Sequence, residues 1–360
     1  MAFDFNPFYI YLLDVPKITP RKIKNLLNHF HDPEKIFKAK REELLTIEGM
    51  DEETVSNIKK FDFTSCQEKI KKASQLKVKI ISFLDKDYPK PLKEIKFFPP
   101  ILFIQGEIKK EDERSISIVG TRNPSPYGRE IGERFAFELA KNGLTIISGL
   151  ARGIDTIAHK NALAADSRTI AVLGCGIDIS YPPENQNLRE QIKENGAVIS
   201  EFNISTPPDR FNFPRRNRLI SGLALGILTV EAPEKSGVLI TAWWAAEQGK
   251  PVFVIPGLIT FPKCAGTNRL LKEGAIPITS VEDILENLKI TPKKKEVQAI
   301  ELSEEEKKLI ALIAEAPLYV DEIVEKLEKP VQEILTQLFT LEIRGIVKQL
   351  PGNRYIKISS

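Results

Sequence analysis

The densest group of side chains that could bind an anion lies in the segment FNFPRRNRLISG, residues 211–222. Proline suits the first turn of a helix, so Pro214 predicts that a helix starts there. Its first turn would carry Arg215, Arg216, Asn217 and Arg218. Three cations at the positive end of a helix dipole are unfavourable by themselves, and a bound anion would remove the conflict. The alternative is internal pairing with carboxylates, for which the sequence offers Glu201, Asp209 and Glu231.

Further candidates for phosphate contacts follow other apolar runs of the chain. They are Gly120, Thr121, Arg122, Gly149, Arg152, Lys160 and Lys263. Glycine lets backbone amides approach a phosphate, and the cations supply the opposite charge. Phe213 would stack on unpaired bases if it were exposed. We expect one of Phe211 and Phe213 to belong to the core.

Six short apolar runs must position these loops. They are residues 116–119, 144–147, 169–173, 197–199, 227–230 and 252–255. Each is rich in Ile, Val and Leu and lacks polar alternation, which is typical of strands covered on both faces. Helix-length segments such as 129–142 and 241–248 lie between them. The chain between residues 78 and 290 is therefore predicted to be an α/β domain with a Rossmann-like, doubly wound, mainly parallel sheet, whose strand ends meet at one edge.

Smaller domains are expected on either side. Residues 1–65 read as a helical domain similar to SAM or helix-hairpin-helix modules, although Asp51 stands where the hairpin of such a module normally has a second glycine. We therefore favour a packing turn over duplex binding for that hairpin. Residues 291–302 are a predicted linker, and residues 303–360 a winged helix. Its third helix would expose mainly Gln332, Glu333, Gln337 and Glu342, which favours a protein contact or an architectural role over reading of DNA sequence.

Composition excludes several classes of protein. The net charge is only +3, with 52 basic against 49 acidic residues, so a polyanion would have to be held by a local cluster. The three cysteines have no zinc or disulfide spacing, and we expect no metal site. The chain has no apolar run long enough to cross a bilayer, and its first residues make a poor signal peptide, so we expect a cytoplasmic protein.

Nucleotide-enzyme signatures are missing as well. The sequence has no GxxxxGK[ST] motif, and Gly174 and Gly176 are not followed by the third glycine of a dinucleotide fingerprint. Asp155 and His159 are four residues apart on a predicted helix, but we expect a helix cap and a packed side chain there. We therefore predict no catalytic residues, no cofactor and no enzymatic activity.

Seven ordered motifs resemble those of the DNA processing protein A family, also called DprA or Smf. They are GTR at 120–122, SGLARGIDTIAH at 148–159, TIAVLGCGIDISYPPEN at 169–185, ISEF at 199–202, FPRRNRLISGLA at 213–224, SGVLITA at 236–242, and PG with GTNRLLKEGA within 256–275. With DKDYPKPL at 85–92 they cover most of residues 80–280. The resemblance implies a domain that binds single-stranded DNA without sequence preference and forms a homodimer. It also implies protection of incoming DNA and loading of the RecA recombinase during natural transformation.

The resemblance places DNA contacts at Arg122 and at the basic residues of FPRRNR. Two other functions remain open at this point. One is a phosphoribohydrolase-like enzyme on the same scaffold, in which Glu231 and the loop at 236–242 would hold ribose and phosphate. The other is a transcription factor that acts through residues 303–356.

Overall fold

The computed structural model describes residues 5–292, 303–314, 316–343, 346–350 and 352–357. The chain divides near residue 293 into two compact units. Most of the predicted linker 291–302 lies outside the described residues.

The first unit begins with six short helices: α1 Phe8–Asp14, α2 Pro20–Phe30, α3 Pro33–Lys38, α4 Arg41–Leu45, α5 Glu52–Lys59 and α6 Gln67–Gln75. Thr19 and Asp32 cap α2 and α3, as the Thr-Pro and Asp-Pro pairs predict. Asp51 caps α5 by accepting from the backbone N–H of Thr54. The helices share a hydrophobic core with the neighbouring strand residues Ile80 and Phe103.

A nine-stranded sheet forms the centre of this unit. Its strands are β1 Lys79–Ser82, β2 Ile101–Gly106, β3 Ser115–Val119, β4 Thr145–Ser148, β5 Thr169–Val172, β6 Gly196–Ser200, β7 Ile227–Thr229, β8 Val252–Val254 and β9 Ile276–Pro277. The strand order is β1-β2-β6-β5-β4-β3-β7-β8-β9. All neighbours from β6 to β9 pair in parallel, whereas β1 with β2 and β2 with β6 are antiparallel. This confirms the Rossmann-like, mainly parallel sheet, and all six predicted apolar runs are strands.

Helices cover both faces of the sheet: α7 Lys90–Glu94, α8 Pro126–Lys141, α9 Ile154–Ala164, α10 Gln186–Asn195, α11 Asn212–Leu223, α12 Gly237–Glu247, α13 Ala265–Lys272 and α14 Val281–Asn287. One face of the central strands packs against α8 and α9 through residues such as Ile146 and Phe135, and the other face packs against α11 through Ile147 and Leu219. Two helices begin earlier than predicted. Ser125 and Ser236 cap α8 and α12, so the capping serines rather than the apolar periodicity set their starts.

The second unit has the winged-helix elements predicted for it. They are α15 Glu304–Leu312, β10 Leu318–Tyr319, α16 Val320–Leu327, α17 Val331–Ile343, β11 Val347–Leu350 and β12 Arg354–Lys357. Ser303 and Glu306 form the expected capping box at the start of α15. The exposed face of α17 is more apolar than predicted, because Leu335 and Phe339 lie on it with the polar residues. Within the described residues of both units, none of the helices combines the length and apolarity that a bilayer span requires.

Candidate nucleic-acid interface

A groove opens beside β3. From β3 to β6 successive strands are added on one side of the sheet, and from β7 to β9 they are added on the other side. Strands β4 and β7 flank β3, so the loops that follow β3 and β7 turn to opposite faces and leave a crevice between them. The groove encloses about 890 Å³. It is lined by the loop after β3, the start of α9, the first half of α11, and Lys235, Ser236 and Gly237 at the start of α12. This is the sheet edge at which the sequence predicts the site.

A second, smaller hollow of about 400 Å³ shares Arg122, Ala151, Phe213 and Arg216 with the groove. Its other walls include Gly149, Arg152, Gly174 and Tyr181. The two cavities therefore meet at Arg122, Phe213 and Arg216. Candidates from two separate loops and from one helix come together here.

Arg216 is the central cation of this region. Only 5% of its surface is exposed, and its guanidinium donates to the backbone carbonyls of Gly149, at 2.8 Å, and Val172. Among the described residues no carboxylate forms an ion pair with it. Burial lowers the pKa of Arg216 to about 10, which leaves it charged at neutral pH. The hydrogen bonds of Arg216 go to backbone carbonyls and to the side-chain oxygen of Asn217, and its charge also interacts with the buried carboxyl of Asp155. A desolvated cation of this kind attracts an anion that reaches it through the groove.

Arg218 and Arg215 point away from the groove and toward Glu201. Arg218 is buried and forms two bonds with the buried carboxylate of Glu201, at 2.7 and 2.6 Å. Arg215 reaches the same carboxylate at 3.1 Å, while its side chain remains 47% exposed. The expectation that Arg218 presents its guanidinium to a phosphate is therefore corrected in favour of internal pairing.

The physical reason is the start of α11. The helix begins at Asn212 rather than at Pro214, so Arg216, Asn217 and Arg218 lie beyond its first turn. Residues three apart share a helix face, which directs Arg215 and Arg218 together toward Glu201. Asn217, one position before Arg218, lines the groove and donates to the carbonyl of Gly237 at 3.3 Å.

Arg122 is the exposed cation at the junction of the two cavities. It lies over the ring of Phe213, with 5.7 Å between the guanidinium carbon and the ring centroid. The preceding residues Gly120 and Thr121 line the groove beside it. A side chain at position 120 would collide with Ile154, so glycine is required for the close approach of the loop to α9.

The remaining predicted cations are distributed around the groove. Arg152 lines the smaller hollow and pairs with Glu184 at the surface. Lys263 donates to the carbonyl of Asn123 at 2.8 Å, next to Arg122. Lys160 is exposed on α9 six residues after Ile154, about 9 Å along the helix from the groove end.

Two aromatic rings form one wall of the smaller hollow. Phe213 and Tyr181 lie 5.6 Å apart between ring centroids, at an angle of 33°. Gly174 makes room for them, because a Cβ there would lie 2.6 Å from the ring of Phe213. The expectation that Phe211 or Phe213 is core is wrong: Phe211 is 69% exposed and Phe213 is half-buried at the hollow.

Four lining residues are absent from the predicted DNA contacts: Tyr181, Lys235, Ser236 and Gly237. Of these, Ser236 and Gly237 entered the sequence analysis only through the phosphoribohydrolase-like alternative. The Ser-Gly pair at 236–237 is a helix-start signal after a strand, and it could have placed the last three at the same edge. Tyr181 carries no comparable signal, since only the fold brings its loop to Phe213.

Three titratable side chains near the groove, Asp155, His159 and Glu231, form hydrogen bonds within the fold. Asp155 accepts from the backbone N–H groups of Gly149 and Ala151, at 3.2 and 3.3 Å. His159 is fully buried beside Thr169, and burial lowers its pKa to about 3. Glu231, the residue proposed for ribose binding, instead accepts from the N–H and hydroxyl of Ser125. Within the described ranges, no group of three or more metal-ligating side chains comes together.

A family model described as DNA recombination-mediator protein A matches residues 79–289. The chain belongs to this family. The model of its winged-helix domain matches residues 293–353, and a SAM-like helix-hairpin-helix tandem matches residues 9–61. The DprA/Smf resemblance drawn from the seven motifs is confirmed.

Curated relatives cover much or all of the chain. Protein Smf of Escherichia coli (strain K12) is 40% identical over 286 residues, which is 75% of each chain. Protein Smf of Synechocystis sp. is 32% identical and aligns over 99% of each chain.

Solved structures of DprA proteins have the same fold. DNA processing protein A from Streptococcus pneumoniae aligns with a TM-score of 0.69 and 34% identity, over 78% of this chain and 97% of that chain. DNA processing protein A from Helicobacter pylori aligns with a TM-score of 0.54 and 33% identity, over 59% of this chain and 96% of that chain. The structure of that relative is described as giving insight into its single-stranded DNA binding mode.

Two cations beside the turn of the helix-hairpin-helix region pair with carboxylates of that turn. Lys22 pairs with Asp51 at 2.6 Å, and Arg21 pairs with Glu48 of the same hairpin. These two cations are therefore engaged with carboxylates of the hairpin itself. The choice of a packing turn over duplex binding stays a prediction.

Proposed function

We propose that this protein is a non-catalytic recombination mediator that binds single-stranded DNA in the groove between β3, β7 and α11. It protects incoming DNA, acts as a homodimer in the cytoplasm, and helps to load the RecA recombinase during natural transformation. The observation that carries the proposal is the placement of Arg216. Its guanidinium is buried, forms no ion pair with a carboxylate among the described residues, and lines a groove that is open to solvent.

Charge and aromatic groups around Arg216 support an unpaired strand over a duplex. Arg122 and Lys235 line the groove and can meet successive phosphates. Tyr181 and Phe213 offer ring faces beside them. Bases can stack on such rings only when they are unpaired, and this stacking tolerates any sequence. The H. pylori relative, whose structure is described as binding single-stranded DNA, belongs to the same family.

The proposal is tested by titrating labelled single strands and duplexes of the same sequence at several salt concentrations. We expect tighter binding of the single strand and a fall of log K with log salt of roughly 0.7 per phosphate contact. Arg122→Gln should lower affinity and reduce that slope by about 0.7. Lys141→Gln is the matched control, because Lys141 is exposed at the far end of α8, away from the strand exits. Equal affinity for both DNA forms, or a flat salt response, would refute the proposal.

Two further assays address the wider role. Addition of the protein to single strands coated with single-strand-binding protein should raise the DNA-dependent ATPase rate of RecA. Incubation with nucleoside monophosphates should release no free base, since Glu231 is committed to Ser125. Base release would favour the phosphoribohydrolase-like alternative.

A further inference from the structure

The loop that follows β8 carries the most exposed aliphatic side chains of the first unit. Leu258 is 74% and Ile259 is 93% exposed. Phe261 and, from the start of α8, Tyr127 lie beside them and share an apolar hollow with Leu258. We call Tyr127, Leu258, Ile259 and Phe261 the apolar tip.

The base of this loop is held in place. Gly257 and Asn268 exchange two hydrogen bonds, at 3.3 and 3.1 Å, and the N–H of Phe261 donates to the carbonyl of Leu258 at 3.0 Å. A Cβ at Gly257 would collide with Cys264, so the loop packs closely on its own continuation. The aliphatic side chains are therefore presented from a fixed base.

One contact joins the loop that carries the apolar tip to the loop after β3, and another joins Tyr127 to the base of the tip. Lys263 donates to the carbonyl of Asn123, the residue after Arg122. Tyr127 donates from its hydroxyl to the carbonyl of Pro256 at 3.4 Å. The loops after β3 and β8 are thus joined at the same sheet edge, and cations lie at the base of an apolar projection.

This combination matches a single strand of DNA. An unpaired strand has an anionic backbone and apolar base faces, so it can use both the cations and the aliphatic side chains. A duplex keeps its base faces stacked inside and offers the tip only phosphates and groove edges. Leucine and isoleucine side chains can separate neighbouring bases by inserting between them.

We propose that the apolar tip contacts the bases of the strand whose phosphates lie at Arg122 and Lys263, with Leu258 and Ile259 inserted between two neighbouring bases. This assignment rests on the proposed binding of single-stranded DNA. It adds a second base-contacting surface to the ring pair of Tyr181 and Phe213. It also gives the protein a means of unstacking the strand that it holds.

The test uses the full chain with the double substitution Leu258→Ser and Ile259→Ser. Strands of adenine carry one 2-aminopurine at successive positions, because its fluorescence rises when neighbouring bases unstack. We expect the unsubstituted protein to raise the fluorescence at one position near an end of the bound stretch. The double variant should lose that rise and bind the strand roughly tenfold more weakly. Leu225→Ser, which removes an exposed leucine at the opposite sheet edge, is the control and should change neither signal.

An abasic nucleotide at the responding position separates direct contact from an indirect effect. It should weaken binding of the unsubstituted protein by about the same factor as the double substitution, and should cost the double variant nothing further. Equal affinity and equal fluorescence of the two proteins would overturn the inference while leaving strand binding intact. A changed oligomeric state by light scattering, with unchanged DNA signals, would assign the tip to a contact between copies and also overturn it. Failure of the unsubstituted protein to bind the strand would instead refute the proposed function.

Discussion

Arg218 and Glu201 form a two-bond ion pair in the interior of the molecule, with N–O distances of 2.7 and 2.6 Å. The carboxylate comes from the end of β6 and the guanidinium from α11, so the pair ties the helix to the sheet. The same helix directs Arg216 to the other side, into the groove. Two arginines of one motif thus have different roles. Arg218 stabilises the fold, and Arg216 lies at the candidate DNA site.

Arg218→Met is expected to destabilise the fold. Removing one partner of a buried ion pair costs about 3–5 kcal/mol because the other charge is left without compensation. Arg215 remains 3.1 Å from Glu201 and should hold the loss near the lower figure. The free energy of unfolding in urea measures the effect. Adding Glu201→Leu should restore part of the stability; if Arg218→Met kept full stability but lost strand binding, Arg218 would be a DNA contact.

Gly149→Ala is expected to weaken strand binding by displacing Arg216. The new Cβ would lie 2.6 Å from a terminal nitrogen of the guanidinium, which must then leave the carbonyl of Gly149. A displaced guanidinium loses its hydrogen bond to a phosphate, and the loss of one hydrogen bond to a charged group corresponds to roughly tenfold or more in affinity. Fluorescence anisotropy with a labelled strand measures it.

Gly132→Ala is the steric control for that variant. A Cβ at Gly132, on α8 and outside the lining of the groove, would meet no atom closer than 3.3 Å, so this variant should fold and bind as the parent does. Full strand affinity of Gly149→Ala would show that the position of the Arg216 guanidinium is irrelevant to binding.

Tyr181→Leu should weaken strand binding while preserving the fold. Leucine keeps apolar bulk beside Phe213 but removes the ring face on which a base could stack, a loss of about 1–3 kcal/mol per base. Affinities for a normal strand and for strands with single abasic positions measure the loss. Tyr319→Leu, at a half-exposed tyrosine of the winged-helix unit, should bind as the parent does. An equal loss in both variants would argue against a specific stacking site.

His159 should make the protein less stable in mild acid. Its pKa is lowered from 6.5 to about 3 in the folded chain, so between these values the unfolded chain binds a proton that the folded chain does not. This contribution to stability is complete above pH 6.5 and declines as the pH falls toward 3. Between pH 7 and pH 5, the parent should lose about 2 kcal/mol more unfolding free energy than His159→Gln. Parallel stability curves for the two proteins would show that His159 is accessible to protons in the folded state.

The site residues show where local sequence signals stop being sufficient. The Ser236–Gly237 start of α12 could be found from the chain alone, since a capping serine acts on the amides that follow it. The start of α11 could not, because Asn212 precedes the proline that suggested the boundary. With the helix starting at Asn212, Arg218 lies beyond the first turn and pairs with Glu201, the residue that follows β6.

Local patterns in the sequence predicted six central strands of the sheet, the glycine-bearing loops at its edge and the family, because strand burial, helix caps and close-approach glycines depend on neighbouring residues. Only the folded chain shows that Arg216 lines the groove while Arg218 meets Glu201, that Tyr181 pairs with Phe213, and that the loop after β8 is joined through Lys263 to Asn123, next to Arg122. These outcomes join side chains far apart in the chain. Their geometry depends on strand order and helix rotation, which no local pattern specifies.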